Sequence, residues 1–293
     1  PRDTGRMSET LIGLLHPGEM GAAVAACLTG RGYPVLWVPA GRSPATRARA
    51  AAAGLTAAAG ADAAGQAAGL ARRADIILSI CPPHAALDTA REMAAAGFTG
   101  VYADANAISP GTAHDVQAVV EAAGGCYLDG GIVGPPPGRT APGGEAGPGG
   151  TRLYLAGGPA GGDAAGPAAR LAALFEGTAL NPVILRNDNP AGASALKMAY
   201  AAWTKGSAAL LLAARALARA EGVEDSLLAE WALSQPGLDG RSRGAAGSAA
   251  AKGWRWAGEM EEIAASMTAD GLPGGFHLAA AEVFRAAAAQ GQL

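Results

Sequence analysis

A short turn after the first apolar run of the sequence has the spacing of a phosphate-binding loop. Residues 16–21 read His-Pro-Gly-Glu-Met-Gly, the G-x-G-x-x-G pattern with His16 in the first glycine position. Gly18 would let a pyrophosphate approach the backbone, and Gly21 would let the next helix, whose N-terminal N–H groups bind phosphate, pack closely. His16 is interpreted as a turn residue that adopts the conformation of a glycine. The predicted dinucleotide site, for which an ordinary strand-to-helix turn is the alternative, contains His16, Pro17, Gly18, Glu19, Met20 and Gly21.

The end of the second apolar run indicates which dinucleotide the turn would bind. An acidic residue there recognises the ribose 2′-hydroxyl of NAD, whereas an arginine accommodates the 2′-phosphate of NADP. The sequence reads Gly41-Arg42-Ser43, with no acid, so Arg42 and Ser43 would donate hydrogen bonds to a phosphate. NADP(H) is therefore the predicted cofactor. A solvated loop charge is the alternative for Arg42, because Arg47 and Arg49 lie close by in the sequence.

Further candidates follow two other apolar runs. Cys81, Pro82 and Pro83 follow one run, and Asn106 follows the next. Ligands of doubly wound sheets bind at such strand ends, which predicts cofactor contacts for these residues and a substrate contact for Asn106. No base accompanies Cys81 in the sequence, which argues against a nucleophilic role.

Hydride transfer to or from a nicotinamide also needs a proton donor or acceptor at the reacting heteroatom. Lys197, in an otherwise apolar helical stretch, is the candidate general acid or base. Tyr200 and Thr204 share its helix face and are predicted substrate contacts. A surface lysine whose stem covers apolar side chains is the alternative for Lys197, and simple packing is the alternative for Tyr200.

The elements that must position these residues form two predicted domains. Alternating apolar runs and Ala-rich stretches predict an α/β Rossmann-type doubly wound parallel sheet over residues 7–187, followed by an all-α substrate and dimerisation domain over 188–293. The predicted strands cover residues 11–15, 35–38, 76–80, 100–104, 127–133, 152–156 and 182–185. The predicted helices of the second domain cover 190–221, 226–234, 254–268 and 276–289, with Gly-rich punctuation between them.

Some segments lie outside this pattern. Residues 135–150 and 157–166 are too rich in Pro and Gly to support a packed element and are predicted loops, the first of them flexible. Residues 1–6 are read as a leftover that precedes a native start at Met7.

Composition and charge narrow the classes of partner. A net charge of −3 and a pI near 5.8 provide no field for nucleic acid or an anionic membrane, so a small molecule is the expected partner. The scattered cysteines match neither a metal site nor a disulfide framework, so we expect no metal and a cytoplasmic location. The helix over 190–221 is apolar around most of its circumference, which predicts a homodimer.

Four segments, in this order, resemble the β-hydroxyacid dehydrogenase and 6-phosphogluconate dehydrogenase superfamily over nearly the whole chain. They are the turn at residues 12–21, the segment Asp-Ala-Asn-Ala-Ile-Ser-Pro at 104–110, the segment Asp-Gly-Gly-Ile-Val-Gly at 129–134, and Ala-Leu-Lys-Met-Ala-Tyr at 195–200. The resemblance implies that Lys197 is the catalytic lysine and that Asn106 stands where the superfamily has a serine. It also implies a substrate-binding turn that includes Gly130, Gly131 and Ile132.

The same resemblance has departures. Val133 replaces a serine, Tyr200 and Ala201 replace polar residues, and Gly258 stands where a lysine approaches the cofactor. The sequence looks closest to a bacterial subfamily with a distinct helical C-terminal domain.

The expected activity is NADP-dependent hydride transfer to or from a small carbonyl or hydroxy compound of β-hydroxyacid type. An imine reductase is one alternative, because a tyrosine near the site could donate the proton. A non-catalytic NADP-binding sensor is another, because a glycine, a serine and asparagines of the pattern are replaced.

Overall fold

The computed structural model describes residues 10–138, 150–156 and 166–290, and the chain divides into two compact units, one ending at Lys197 and one beginning at Met198. The predicted boundary at residue 188 lies before the first helix of the second domain, whereas this division falls within that helix. The predicted loops at 135–150 and 157–166 lie mostly outside the described residues, as does the predicted start at Met7.

The first unit is built on a sheet of eight strands in the order β3-β2-β1-β4-β5-β6-β7-β8. The strands are β1 (Ile12–Leu15), β2 (Val35–Trp37), β3 (Thr56–Ala57), β4 (Ile76–Ser79), β5 (Val101–Asp104), β6 (Cys126–Val133), β7 (Thr151–Ala156) and β8 (Leu180–Leu185). The helices are α1 (Glu19–Thr29), α2 (Pro44–Ala52), α3 (Ala63–Ala71), α4 (Ala86–Ala95), α5 (Pro110–Ala122) and α6 (Pro167–Leu174), with a 3-10 turn at Pro83–Ala85. The predicted Rossmann-type fold is confirmed.

The central strands are apolar runs because both faces of the sheet are covered. Every residue of β1, β4 and β5 is buried, which is typical of parallel strands between two layers of helices. The core has one cluster on each face, with Leu14 and Leu28 in one and Leu70 and Tyr102 in the other.

All seven predicted strands are present, with two differences from the predicted sheet. The two-residue β3 was not predicted, because Thr56 and Ala57 are exposed and too few to give an apolar pattern. The sheet is not parallel throughout: β7 pairs antiparallel with β6, and β8 then pairs parallel with β7. Buried and half-buried residues alternate along β7, which lies next to the edge strand β8 and not at the centre of the sheet.

The second unit is helical. The helix α7 (Gly192–Ala220) runs through the division between the units and is followed by α8 (Glu224–Ser234), α9 (Leu238–Ala269) and α10 (Gly275–Gln290). The predicted Gly-rich break before residue 254 is wrong, since α9 continues through it. Gly253 is needed there because a Cβ would meet the carbonyl oxygen of Phe284 at 2.6 Å, so the glycine lets α10 pack closely. In the described part of the chain, no helix is long and apolar enough to cross a membrane.

Candidate active site

The predicted site residues of the first unit follow one edge of the sheet. Along the strand order β2-β1-β4-β5-β6, Arg42 follows β2, His16 follows β1, Cys81 follows β4 and Asn106 follows β5. Lys197 is bound to the backbone of β6. This carboxyl edge is where doubly wound sheets bind ligands.

The turn between β1 and α1 has the backbone geometry of a phosphate-binding loop. His16 has a φ of 63°, the left-handed conformation expected of the glycine it replaces. A Cβ at Gly18 would have no atom within 4 Å, and no side chain caps the helix that begins after it. A Cβ at Gly21 would meet the carbonyl oxygen of His16 at 2.7 Å, so only glycine allows α1 to pack here. Pro17, Glu19 and Met20 complete the turn.

A recess beside this turn brings together two polar atoms that lack partners. Nδ1 of His16 and Nε of Arg42 are buried and make no hydrogen bond within the described residues. Burial, and secondarily the charge of Arg42, lowers the pKa of His16 to about 4, so its imidazole is neutral at neutral pH. Val38, Thr89, Glu92 and Met93 contribute to the lining.

The loop after β2 holds the remaining predicted 2′-phosphate contacts. Gly41 has a φ of 70°, and Ser43 caps α2 by accepting the N–H of Thr46 at 3.2 Å. Arg49, which the sequence did not single out, donates to the carbonyl oxygen of Pro17 at 3.4 Å and so joins α2 to the nucleotide turn. The 2′-phosphate contact of Arg42 stays a prediction.

The ends of β4 and β5 are joined by one side chain. The Oδ1 atom of Asn106 accepts the N–H of Cys81 at 2.5 Å, and its Nδ2 donates to Oγ of Ser79 at 3.0 Å. Asn106 is 2% exposed, so a ligand contact would require one of these bonds to be exchanged. Burial raises the pKa of Cys81 to about 12, so the thiol is protonated and a weak nucleophile. Pro82 and Pro83 open the 3-10 turn that follows.

Two buried carboxyl groups lie side by side behind this edge. Asp104 of β5 pairs in register with Asp129 of β6, and both are 1% exposed. Burial raises the pKa of Asp104 to about 7, and the charge of Asp129 adds to the rise. The Oδ2 atom of Asp104 has no hydrogen-bond partner within the described residues. Burial also raises the pKa of Asp129 to about 6, while donors from Ser194 and Ala193 oppose the rise.

Lys197 belongs to the first unit. Its ammonium donates to the carbonyl oxygen of Ile132 at 2.7 Å, which ties the first turns of α7 to β6. A Cβ at Gly131 would meet the carbonyl oxygen of Ala193 at 2.8 Å, and one at Gly130 would meet that of Asp104 at 2.8 Å. The predicted substrate turn is thus a tightly packed strand that holds the lysine, and direct substrate contacts by Gly130, Gly131 and Ile132 stay a prediction.

Comparisons with known proteins account for this arrangement. Residues 10–152 match the NAD binding domain of 6-phosphogluconate dehydrogenase, and residues 218–287 match a domain of unknown function, DUF1932. The first of these matches identifies the nucleotide-binding part of the chain as similar to that of 6-phosphogluconate dehydrogenase. A search of curated proteins found no match.

Solved structures with a similar fold cover nearly the whole chain. A conserved hypothetical protein from Sinorhizobium meliloti 1021 is 26% identical with a TM-score of 0.62, over 96% of this chain and 89% of that chain. A Mycobacterium tuberculosis 3-hydroxyisobutyrate dehydrogenase with L-serine is 19% identical with a TM-score of 0.65, over 96% and 94% of the two chains. A reductive aminase from Aspergillus terreus with NADPH and ethyl levulinate is 19% identical with a TM-score of 0.54, over 97% and 95%.

The two other predicted substrate residues lie in the second unit. The side chain of Tyr200 is 45% exposed. The hydroxyl of Thr204 donates to the carbonyl oxygen of Tyr200 at 3.1 Å, so it is engaged within its own helix. Among residues 10–138, 150–156 and 166–290, no group of His, Cys, Asp and Glu side chains could hold a metal ion.

Sequence reasoning did not single out two residues that the site depends on. Asp129 was noted only as the start of a motif, and Ser194 was not noted. They are bonded to each other across 65 residues of sequence. One general signal was available in the sequence. A buried carboxylate at a strand end needs hydrogen-bond donors, and the free N–H groups at the N-terminus of a helix can supply them.

Proposed function

We propose that this chain is an NADP-dependent oxidoreductase that transfers a hydride between NADPH and a small carbonyl or hydroxy compound, with Lys197 as general acid or base. The observation that carries the proposal is the order of groups along one sheet edge. A recess lined by Arg42 follows β2, an open glycine turn follows β1, and a lysine is fixed to β6. A dinucleotide laid along that edge would have its phosphates at the turn and its reactive end towards the lysine.

The residues present fit a nicotinamide dinucleotide. The space in front of Gly18 and the absence of a side-chain cap on α1 would accommodate a pyrophosphate. Cys81, Pro82 and Asn106 would border its nicotinamide half from the ends of β4 and β5. The bound nicotinamide supplies or accepts the hydride.

The recess supports NADP over NAD. Two buried nitrogen atoms, Nδ1 of His16 and Nε of Arg42, lack acceptors within the described residues, and a 2′-phosphate would satisfy both. No carboxylate follows β2 to accept a hydrogen bond from a ribose 2′-hydroxyl. The carboxylate that lines the recess, Glu92, belongs to α4.

Lys197 supports acid-base chemistry at a carbonyl oxygen. A carbonyl gains a proton as it gains a hydride, and a lysine ammonium can deliver that proton and recover it in the reverse direction. The bond from the ammonium to the Ile132 carbonyl oxygen holds this proton donor at the end of β6.

Imine reduction is the second candidate, favoured by the exposed phenol of Tyr200 three residues beyond Lys197. A reductive aminase and an imine reductase share this fold. In this second candidate, the phenol of Tyr200 rather than the ammonium of Lys197 would donate the proton to the substrate nitrogen.

Turnover with NADPH against panels of small hydroxyacids, carbonyl compounds and cyclic imines tests the proposal. We expect oxidation of NADPH with a carbonyl compound, and much less with NADH. Turnover of imines alone would replace the proposal by the second candidate. Tight NADPH binding without turnover of any panel would leave only a nucleotide-binding sensor.

A further inference from the structure

The first turn of α7 is attached to β6 by a buried carboxylate. Asp129 lies within β6 and is 1% exposed, and Ser194 lies two residues after the start of α7 and is 0% exposed. Oδ2 of Asp129 accepts the N–H groups of Ala193 and Ser194 at 2.8 and 2.9 Å, and Oδ1 accepts the Ser194 hydroxyl at 2.5 Å. A residue distant in sequence therefore supplies the helix cap that is normally local.

The same two segments meet again three residues further along. Lys197 follows Ser194 by three residues, Ile132 follows Asp129 by three, and the Lys197 ammonium donates to the Ile132 carbonyl oxygen at 2.7 Å. Between these points, a Cβ at Gly131 would lie 3.3 Å from Cβ of Lys197, so strand and helix are in direct backbone contact. The carboxylate thus sets where the helix begins, and that start sets where the lysine lies.

We propose that Asp129 and Ser194 are positioning residues that seat the Lys197 ammonium over the end of β6 for proton transfer. The inference rests on the proposed function for the role of Lys197, but the seating itself is a property of the protein without substrate. Neither residue has an open face for substrate, because both are buried and their polar atoms are bonded to each other.

The test removes the serine hydroxyl and keeps the backbone donors. In Ser194→Ala we expect single-turnover hydride transfer from NADPH to the screened substrate to slow about tenfold or more, since small displacements of a catalytic group are costly. The dissociation constant for NADPH should stay within about twofold, because the nucleotide turn lies three strands, roughly 14 Å, away. Ser194→Thr, which keeps a hydroxyl, should restore the rate.

A second readout needs no substrate. The chain has three lysines, and Lys252 on α9 is exposed and can serve as an internal reference. Limited acetylation followed by mass spectrometry then gives the extent of labelling of Lys197 relative to that of Lys252. We expect this ratio to rise severalfold in Ser194→Ala and to return in Ser194→Thr. If Ser194→Ala does not fold, Ser194→Cys, with a weaker donor, should show a smaller change in the same direction.

Ser242→Ala is the matched control. Ser242 is also 0% exposed and bonds Arg215 and the Asp239 carbonyl oxygen, but it lies in the second unit. The inference would be overturned if Ser242→Ala slowed hydride transfer as much as Ser194→Ala does. It would also be overturned if Ser194→Ala lost NADPH affinity in proportion to its rate, or if this variant left both the rate and the labelling ratio unchanged. If Lys197→Met transfers hydride normally, the proposed role of the lysine fails, and the labelling ratio alone then decides the seating.

Discussion

Two neighbouring side chains, His16 and Arg42, carry the proposed choice of cofactor. Deleting a charged hydrogen bond to a phosphate should weaken binding by about 1.5 to 3 kcal/mol, so Arg42→Ala should lose that much NADPH affinity and little NADH affinity. Isothermal titration of both cofactors measures the difference. Arg73→Ala, at an exposed position after α3, should change neither. Equal affinities of the unmutated protein for NADPH and NADH would contradict the assignment.

The buried carboxyl of Asp104 predicts a dependence of stability on pH. Its pKa rises from 3.8 to about 7 on folding, so the folded state holds a proton that the unfolded state releases. A raised pKa contributes stability below the unfolded value, and that stability is lost as pH rises through the folded value. The stability of the protein relative to Asp104→Asn should therefore fall between pH of about 5 and about 8 in urea unfolding. The difference in stability between the unmutated protein and Asp88→Asn, at an exposed position, should show no such trend. If the stabilities of the unmutated protein and of Asp104→Asn changed with pH in parallel, this prediction would be refuted.

At the scale of elements, the contact between β6 and α7 depends on the absence of a side chain at Gly131. A Cβ there would meet backbone oxygen at 2.8 Å, so Gly131→Ala should destabilise the protein by about 1 to 3 kcal/mol. Gly240 lies within α9 with nothing within 4 Å of its Cβ position, so Gly240→Ala should instead stabilise by roughly 0.5 to 1 kcal/mol. Chemical denaturation of both variants gives the signs, and equal signs would contradict this account of the packing.

The elements also show what sequence could and could not predict. Buried strands such as β1 and β4 are visible because most of their residues are large and apolar, and the turn at residues 16–21 is visible because its glycines have fixed spacing. The first half of α9 was missed because its stability comes from packing rather than from its Gly-rich sequence. Likewise, nothing in the spacing of Asp129 and Ser194 indicates that they meet, because that contact depends on the path of the chain between them.

At the scale of the whole molecule, we propose that the protein is a homodimer through α7. Trp203, Leu210 and Leu217 lie on one face of this helix and are 70%, 57% and 64% exposed. A second copy of the same face would cover them. Light scattering at micromolar concentration should give a dimer mass, and Trp203→Asp should shift it to a monomer while Leu233→Asp, on α8, should not. A monomeric mass for the unmutated protein would rule the proposal out.

Single-turnover stopped-flow oxidation of NADPH by the Lys197→Met variant tests the central claim most directly. Methionine retains the apolar stem and removes the proton donor, so folding and NADPH affinity should persist. General acid-base assistance is worth about 100- to 10,000-fold, and the rate should fall by that factor, whereas Lys252→Met should keep the parent rate. A Lys197→Met variant that transfers hydride within about threefold of the parent rate would remove Lys197 from the mechanism and make Tyr200 the preferred proton donor.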